Sequence, residues 1–190
     1  MVNSFLKSRI WAALVLAAWV SFGVTQAAVL NDAAASLSFK GVDGKTYDLS
    51  EMKGEVLVVS FGATWCKPCE WELAAWEDLK REFEGQPIRF LWVSIEGEDV
   101  PDQHLNDYAK KLKLTIPVLR DPAGVALARY NERARLPTVV FFDKEGVFAP
   151  PRHTGMSRDP EEYKKLMRSR LHALLGPAVS VPAIQTGESN

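Results

Sequence analysis

Apolar and polar positions along this chain follow first a strand period, then a helix period, then both again. Leu37 to Phe39 and Lys45 to Asp48 flank Gly41-Val42-Asp43-Gly44, which predicts a small N-terminal hairpin. Leu49 to Lys53 reads as a turn or short helix that Gly54 ends. Val56 to Phe61 is apolar at nearly every position, as in a strand buried on both faces of a parallel or mixed sheet. Leu73, Trp76, Leu79 and Phe83 then recur at spacings of three and four, so Glu70 to Phe83 predicts a helix with one apolar stripe. Ile88 to Ile95 predicts a second core strand. Asp102 to Lys113 predicts an amphipathic helix with Leu105, Tyr108, Ala109 and Leu112 inward. Pro117 to Leu119 reads as a short extended piece and Gly124 to Tyr130 as a short helix. Thr138 to Phe142 predicts a strand, Asp143 to Gly146 a turn into Val147-Phe148, and Pro160 to Leu175 the last helix. The apolar set of that helix is Tyr163, Leu166, Met167, Leu171, Leu174 and Leu175, and Gly176-Pro177 stops it. A βαβ half followed by a hairpin-plus-helix half predicts an α/β sandwich around a central mixed sheet.

The first 27 residues have another character. Lys7 and Arg9 precede an apolar run from Ile10 to Phe22, and Thr25-Gln26-Ala27 offers a small-residue cleavage site. Residues 1–27 therefore read as an export signal, with a retained N-terminal membrane anchor as the alternative, although the run is short of the ~20 residues that span a bilayer. No cysteine lies near the junction for lipid attachment. Either way the domain is expected outside the cytoplasm, in a periplasm, where disulfides persist. About 160 residues remain, enough for one domain over 36–176, with a disordered tail over 177–190.

Charge narrows the function class. The chain of 190 residues has a formal net charge of −1, which argues against a nucleic-acid partner. Lys110-Lys111, Lys164-Lys165 and the pair Arg168 and Arg170 fall on predicted helices and read as solvated faces. No phosphate-binding glycine loop or nucleic-acid module is visible.

The chain has two cysteines, both in Trp65-Cys66-Lys67-Pro68-Cys69, between the first core strand and the first helix. Unpaired N–H groups and the dipole at a helix start favour a thiolate on Cys66, and Cys69 lies one turn on. Haem attachment needs a histidine directly after the second cysteine, where Glu70 stands. A structural zinc site needs two more ligands, and His104, His153 and His172 make no spaced pair. A peroxidatic cysteine needs no partner one turn away, and copper delivery suits wider cysteine spacing with histidine. A purely structural disulfide would close a very small loop and constrain the unfolded chain little. Thiol–disulfide exchange is the reading this context favours, with no metal, nucleotide or flavin implied.

The stretch Leu57 to Cys69 resembles the strand-Phe-x-Ala-Thr-Trp-Cys-x-Pro-Cys signature of exported thiol–disulfide oxidoreductases of the thioredoxin fold, the TlpA/ResA/CcmG-like group. Gly44-Lys45-x-Tyr47-x-Leu49-Ser50 is similar to the group's N-terminal hairpin and turn, and Asp102 to Leu119 stands where it inserts a helix and strand. Leu136-Pro137-Thr138 before Val139 to Asp143 resembles the fold's cis-proline loop. The resemblance covers about Leu37 to Leu175 and implies a thioredoxin-like three-layer sandwich. It implies Cys66 as the exposed nucleophile, Cys69 as the buried resolving thiol, and Pro68 as the residue fixing the helix start. Leu136 and a cis Pro137 would leave adjacent backbone free to pair with an extended substrate. Trp65 reads as a shield and partner surface, with a plain core aromatic as the alternative. Lys67 adds positive charge beside the thiolate, or only solubility. Arg133 and Arg135 read as solvated loop residues that could also steer acidic partners.

Two departures and one match qualify the resemblance. Thioredoxin has a buried aspartate six residues before its first cysteine, and Ser60 is there, where the narrower group usually has asparagine. The group can place an acidic residue at the end of the second core strand. Glu96 is the best match, with Glu98 second, and a solvated acidic run is the alternative. A carboxylate there would raise a thiol pKa and could take its proton. Gly62 stands where many relatives carry a bulky aromatic, so the groove floor is expected to be more open. The resemblance implies reduction of exported protein disulfides, including apocytochrome c haem-site cysteines, with a membrane electron donor. An oxidase or isomerase using the same pair, or a non-catalytic binding or chaperone module, remains open.

Overall fold

The computed structural model describes residues 37–176; the expected leader and tail lie outside the described residues. Among the described residues no helix is long and apolar enough to cross a membrane. A hairpin of β1 (Ser38–Gly41) and β2 (Thr46–Asp48) comes first, followed by a single 3-10 turn at Leu49–Glu51. The core follows as β3 (Val56–Gly62), α1 (Lys67–Glu82), β4 (Ile88–Ser94), α2 (Asp102–Leu112) and β5 (Val118–Arg120). Then come α3 (Val125–Tyr130), β6 (Thr138–Phe142), β7 (His153–Thr154) and α4 (Pro160–Leu175).

The strands form one mixed sheet in the order β2-β1-β5-β4-β3-β6-β7. β3 lies in its interior, parallel to β4 on one side and antiparallel to β6 on the other, and every one of its residues is buried. Its alternate side chains feed two cores. Val56 and Val58 meet Leu73, Trp76, Leu79, Trp92, Tyr163 and Met167 on the side of α1, α2 and α4. Leu57, Val59 and Phe61 meet Leu91, Val140, Phe142, Ala126 and Leu127 on the side of α3. The result is a three-layer α/β sandwich with the thioredoxin-like arrangement, and α2 with β5 forms the inserted helix and strand.

The local reasons are legible. The α1 stripe is Leu73, Trp76 and Leu79 at 0% exposure and Phe83 at 7%. At the start of α4, Asp159 caps the helix by accepting from the Glu161 and Glu162 N–H groups, with Pro160 in the first turn.

Several expectations need correction. The helix after the cysteine motif begins at Lys67 rather than Glu70, because Cys66 itself is the N-cap. The second core strand stops at Ser94, one residue before Ile95. The two-residue β7 pairs with β6 through Thr138–Thr154 and Val139–His153, and no run of alternating residues announces it. Leu166 is exposed, because α4 turns Tyr163, Met167 and Leu171 inward and leaves Leu166 on the opposite flank.

Candidate active site

The polypeptide leaves the central strand at Gly62 and enters α1 at Lys67, so Cys66 stands at the carboxyl end of β3. Sites in open α/β sheets favour that position. Cys66 Sγ accepts from the Cys69 N–H at 3.3 Å, and the Cys66 carbonyl takes the N–H of both Cys69 and Glu70. Pro68 falls in the first turn, where a missing N–H leaves nothing unpaired. The two sulfurs form a disulfide. Cys69 is wholly enclosed, while Cys66 has 6% exposure in this oxidised form. Cys66 is the less covered of the two, but it is buried, where the resemblance implies an exposed nucleophile. Ala63 and Leu136 pack against the pair. Leu136–Pro137 is a cis peptide bond, Pro137 is buried, and its carbonyl accepts from Gly155 N–H.

Trp65 is 71% exposed beside this disulfide, which removes the core-aromatic reading. Lys67 is exposed and paired with Glu70 at 2.9 Å across one helical turn. Arg133 and Arg135 are exposed, and with Arg129 and Arg152 they line a groove that adjoins the Leu136–Pro137 loop.

Glu96 is buried at 8% exposure, whereas Glu98 is exposed. Glu96 Oε1 accepts from the Thr64 hydroxyl at 2.6 Å, and Oε2 accepts from Thr64 N–H at 3.1 Å and the Ser94 hydroxyl at 2.9 Å. Its carboxylate therefore ties the end of β4 to the loop that carries Trp65 and Cys66. The rest of the acidic run is folded around a cation. Arg120 donates to the carbonyls of Gly97 and Val100 and to Asp102 Oδ1 at 2.7–2.8 Å.

The sequence reading missed the most buried acid of the site. Glu72 has 0% exposure and lies three residues after Cys69, on the same face of α1. Its Oε2 accepts from the Ser60 hydroxyl at 2.5 Å, and Oε1 accepts from the Tyr163 hydroxyl at 2.8 Å, which in turn accepts from Trp76 Nε1 at 3.0 Å. Burial pushes the Glu72 carboxyl up to about 7, against hydrogen bonds from Ser60 and Tyr163 that favour the charged form. The same burial and the neighbouring Glu72 hold the Tyr163 phenol well above its usual value. A signal was available. Glu72 precedes Trp76 by four and Leu79 by seven, inside the apolar stripe, where a charged residue needs partners.

Gly62 also differs from expectation. It is buried under α1 rather than exposed in a groove, and a Cβ there would lie 2.6 Å from Trp92 Nε1 and 3.3 Å from Cys69 Sγ. The indole from β4 occupies the room that an aromatic at 62 would need. Among the described residues, no cluster of three or more histidine, cysteine or acidic side chains could hold a metal ion.

This arrangement can cycle between dithiol and disulfide, with a buried acid of near-neutral pKa one helical turn past the inner cysteine. A match to the AhpC/TSA family spans residues 30–149. The thioredoxin-like protein YneN of Bacillus subtilis is 31% identical over 133 residues, covering 70% of this chain and 76% of that protein. The thiol-disulfide oxidoreductase ResA of Oceanobacillus iheyensis is 33% identical over 106 residues, covering 55% of this chain and about half of the relative (53%). Among solved structures, a putative thiol:disulfide interchange protein DsbE from Chlorobium tepidum superposes with a TM-score of 0.64. It covers 75% of this chain and 95% of its own at 20% identity, a likeness of fold. The chain belongs to the AhpC/TSA family and, within it, to the TlpA/ResA/CcmG-like group of thiol–disulfide oxidoreductases.

Proposed function

We propose that this oxidoreductase works as a reductase of disulfides in exported proteins, an apocytochrome c haem-site pair among the candidate clients. The reading is carried by one observation: the inner cysteine is sealed one helical turn before a buried carboxyl with a pKa of about 7, while the outer one caps the helix.

In the reduced protein, the Cys66 thiolate attacks one sulfur of a client disulfide. A Cys66–client disulfide forms and one client thiolate leaves. Ionised Glu72 takes the proton of Cys69, directly or through one intervening group, and the Cys69 sulfur attacks Cys66 Sγ. The second client thiolate leaves, and the Cys66–Cys69 disulfide remains. Two electrons pass to the client, and a membrane electron donor must return them. Glu96 holds the Thr64 turn that presents Cys66. Pro137 turns the chain so that the adjacent Leu136 backbone and the exposed face of Trp65 receive the extended client segment, and Lys67 adds positive charge at the mouth. Residues 1–27 supply export, as a cleaved signal or a retained anchor.

Equilibration of the cysteine pair with glutathione or dithiothreitol buffers gives its reduction potential. A value well below ~−180 mV is expected for a reductase, and one near the ~−120 mV of the oxidant DsbA would reverse the direction. Failure of the pair to exchange with any small thiol would leave only a binding module.

A further inference from the structure

Trp92 on β4 is fully buried, and its indole Nε1 has no hydrogen-bond partner among the described residues. Buried donors are nearly always paired, so this one requires an explanation. The Tyr108 ring does not supply one. It lies 5.5 Å from the indole, tilted by only 30°, and an indole N–H points along its own ring plane rather than at a stacked neighbour.

Position 62 points to the missing partner. A Cβ there would lie 2.6 Å from Trp92 Nε1 and 3.3 Å from Cys69 Sγ. The indole nitrogen and the inner sulfur therefore both close on Gly62, an approach that any side chain at residue 62 would obstruct. Gly62 is not among the residues of positive φ, so the close approach, not the backbone conformation, accounts for it. In the disulfide the Cys69 sulfur is a weak, neutral acceptor. Reduction makes it a thiol or thiolate, and a thiolate is a strong one.

We propose that the Trp92 indole N–H donates to the Cys69 thiolate, forming a hydrogen bond present in the reduced protein and absent from the oxidised one. The inference rests on the reading of Cys66–Cys69 as the redox pair and adds a residue that tunes it. No proton is transferred to or from the indole. The electrons come from the thiol that opens the disulfide. The titratable groups around this site oppose the thiolate: Glu72 on α1, and Glu70 and Glu96, which together with burial push the Tyr108 phenol up to about 12. Tyr163 on α4 is engaged with Glu72. Lys67 is paired with Glu70 at the surface. The indole is then the donor that offsets these carboxylates at the inner sulfur, at the moment when Cys69 must ionise to resolve a mixed disulfide.

The test uses the full chain labelled with 15N at its tryptophans, with the Trp92 Nε1–H signal assigned by its loss in Trp92→Phe. On reduction with dithiothreitol that signal should move downfield, and its shift with pH should follow the Cys69 titration. Thiolate absorbance in a Cys66→Ser background should show Trp92→Phe raising the Cys69 pKa by about one unit, a tenfold loss in ionisation. The reduction potential should fall by about 30 mV above that pKa. Gly62→Ala, which keeps the indole but sets a Cβ against its nitrogen and against Cys69, should shift both readings the same way. Added to Trp92→Phe it should change them little further. A Trp92 signal that stays in place when the disulfide opens overturns the proposal, as does a folded Trp92→Phe protein with an unchanged Cys69 pKa. A disulfide that dithiothreitol cannot open would instead overturn the redox reading on which it rests.

Discussion

The hydroxyl of Ser60 on β3 donates to Glu72 Oε2 on α1 across 2.5 Å, and both residues have 0% exposure. Thioredoxin carries an ionisable aspartate at the position of Ser60. Here the strand supplies a donor, and the acid arrives from the helix one turn past Cys69. Two residues along β3 from Ser60, Gly62 meets Cys69; three residues along α1 from Cys69, Glu72 meets Ser60. The strand period of two and the helix spacing of three thus bring one polar pair and the inner sulfur onto a single facing surface.

Glu72 should make stability depend on pH. Its carboxyl ionises near 7 in the folded chain against a usual 4.5, so between those values the native state binds more protons than the unfolded one. Stability contributed by this group is complete below about pH 4.5, falls as pH rises towards 7, and stays low above it. The loss amounts to about 3 kcal/mol. Urea unfolding across this range should show the decline in the wild type and its absence in Glu72→Gln. An identical slope in both proteins would remove Glu72 as its source.

Glu72→Gln should also slow the step in which Cys69 releases the client. General-base catalysis contributes ~10²–10⁴-fold, part of which water can replace. Stopped-flow measurement should find attack by Cys66 on a small disulfide little changed and resolution impaired. Equal slowing of both steps would point to a structural role.

Ser60→Ala deletes one donor to a buried carboxylate. Glu72 should then ionise at still higher pH, because the lost bond favoured the charged form. The unfolding free energy should drop by about 1–3 kcal/mol. Carboxyl infrared absorbance against pH reads the shift, and an unmoved midpoint would show that the short contact carries no weight.

The cysteines should differ in kind. Cys69→Ser should accumulate mixed disulfides with clients through Cys66, and Cys66→Ser should trap none. In Cys69→Ser, alkylation against pH should place Cys66 below the unperturbed ~8.5, because its sulfur accepts from the backbone N–H of residue 69 at the start of α1. Equal trapping by both variants would undo the assignment of nucleophile and resolver.

Glu96→Gln should loosen the Thr64 turn and slow turnover, whereas Glu98→Gln should do little, since Glu98 is exposed. A lost charge-assisted hydrogen bond costs ~1.5–3 kcal/mol. Matching wild-type rates and melting points at Glu96→Gln would leave its three hydrogen bonds without consequence.

Periodicity determined the main elements of this protein, β7 and the exact ends of α1 and β4 excepted. Seven consecutive buried residues make β3 a central strand, the 73–76–79–83 stripe makes α1, and the cysteine pair between them needs only their order to stand at a helix start. Those are local facts, set by which face of each element is apolar. The partners of each polar group were decided by the tertiary structure. Nothing local tells Glu96, with its hydrogen bonds to Thr64, from Glu98, in solvent two residues on. Nothing local tells Glu72 that Ser60 and Tyr163 await it, or that Trp92 from the next strand fills the place Gly62 leaves. A buried polar atom is stabilised by groups 12 to 91 residues away in sequence, and only the packing of β3, β4, α1 and α4 brings them within reach.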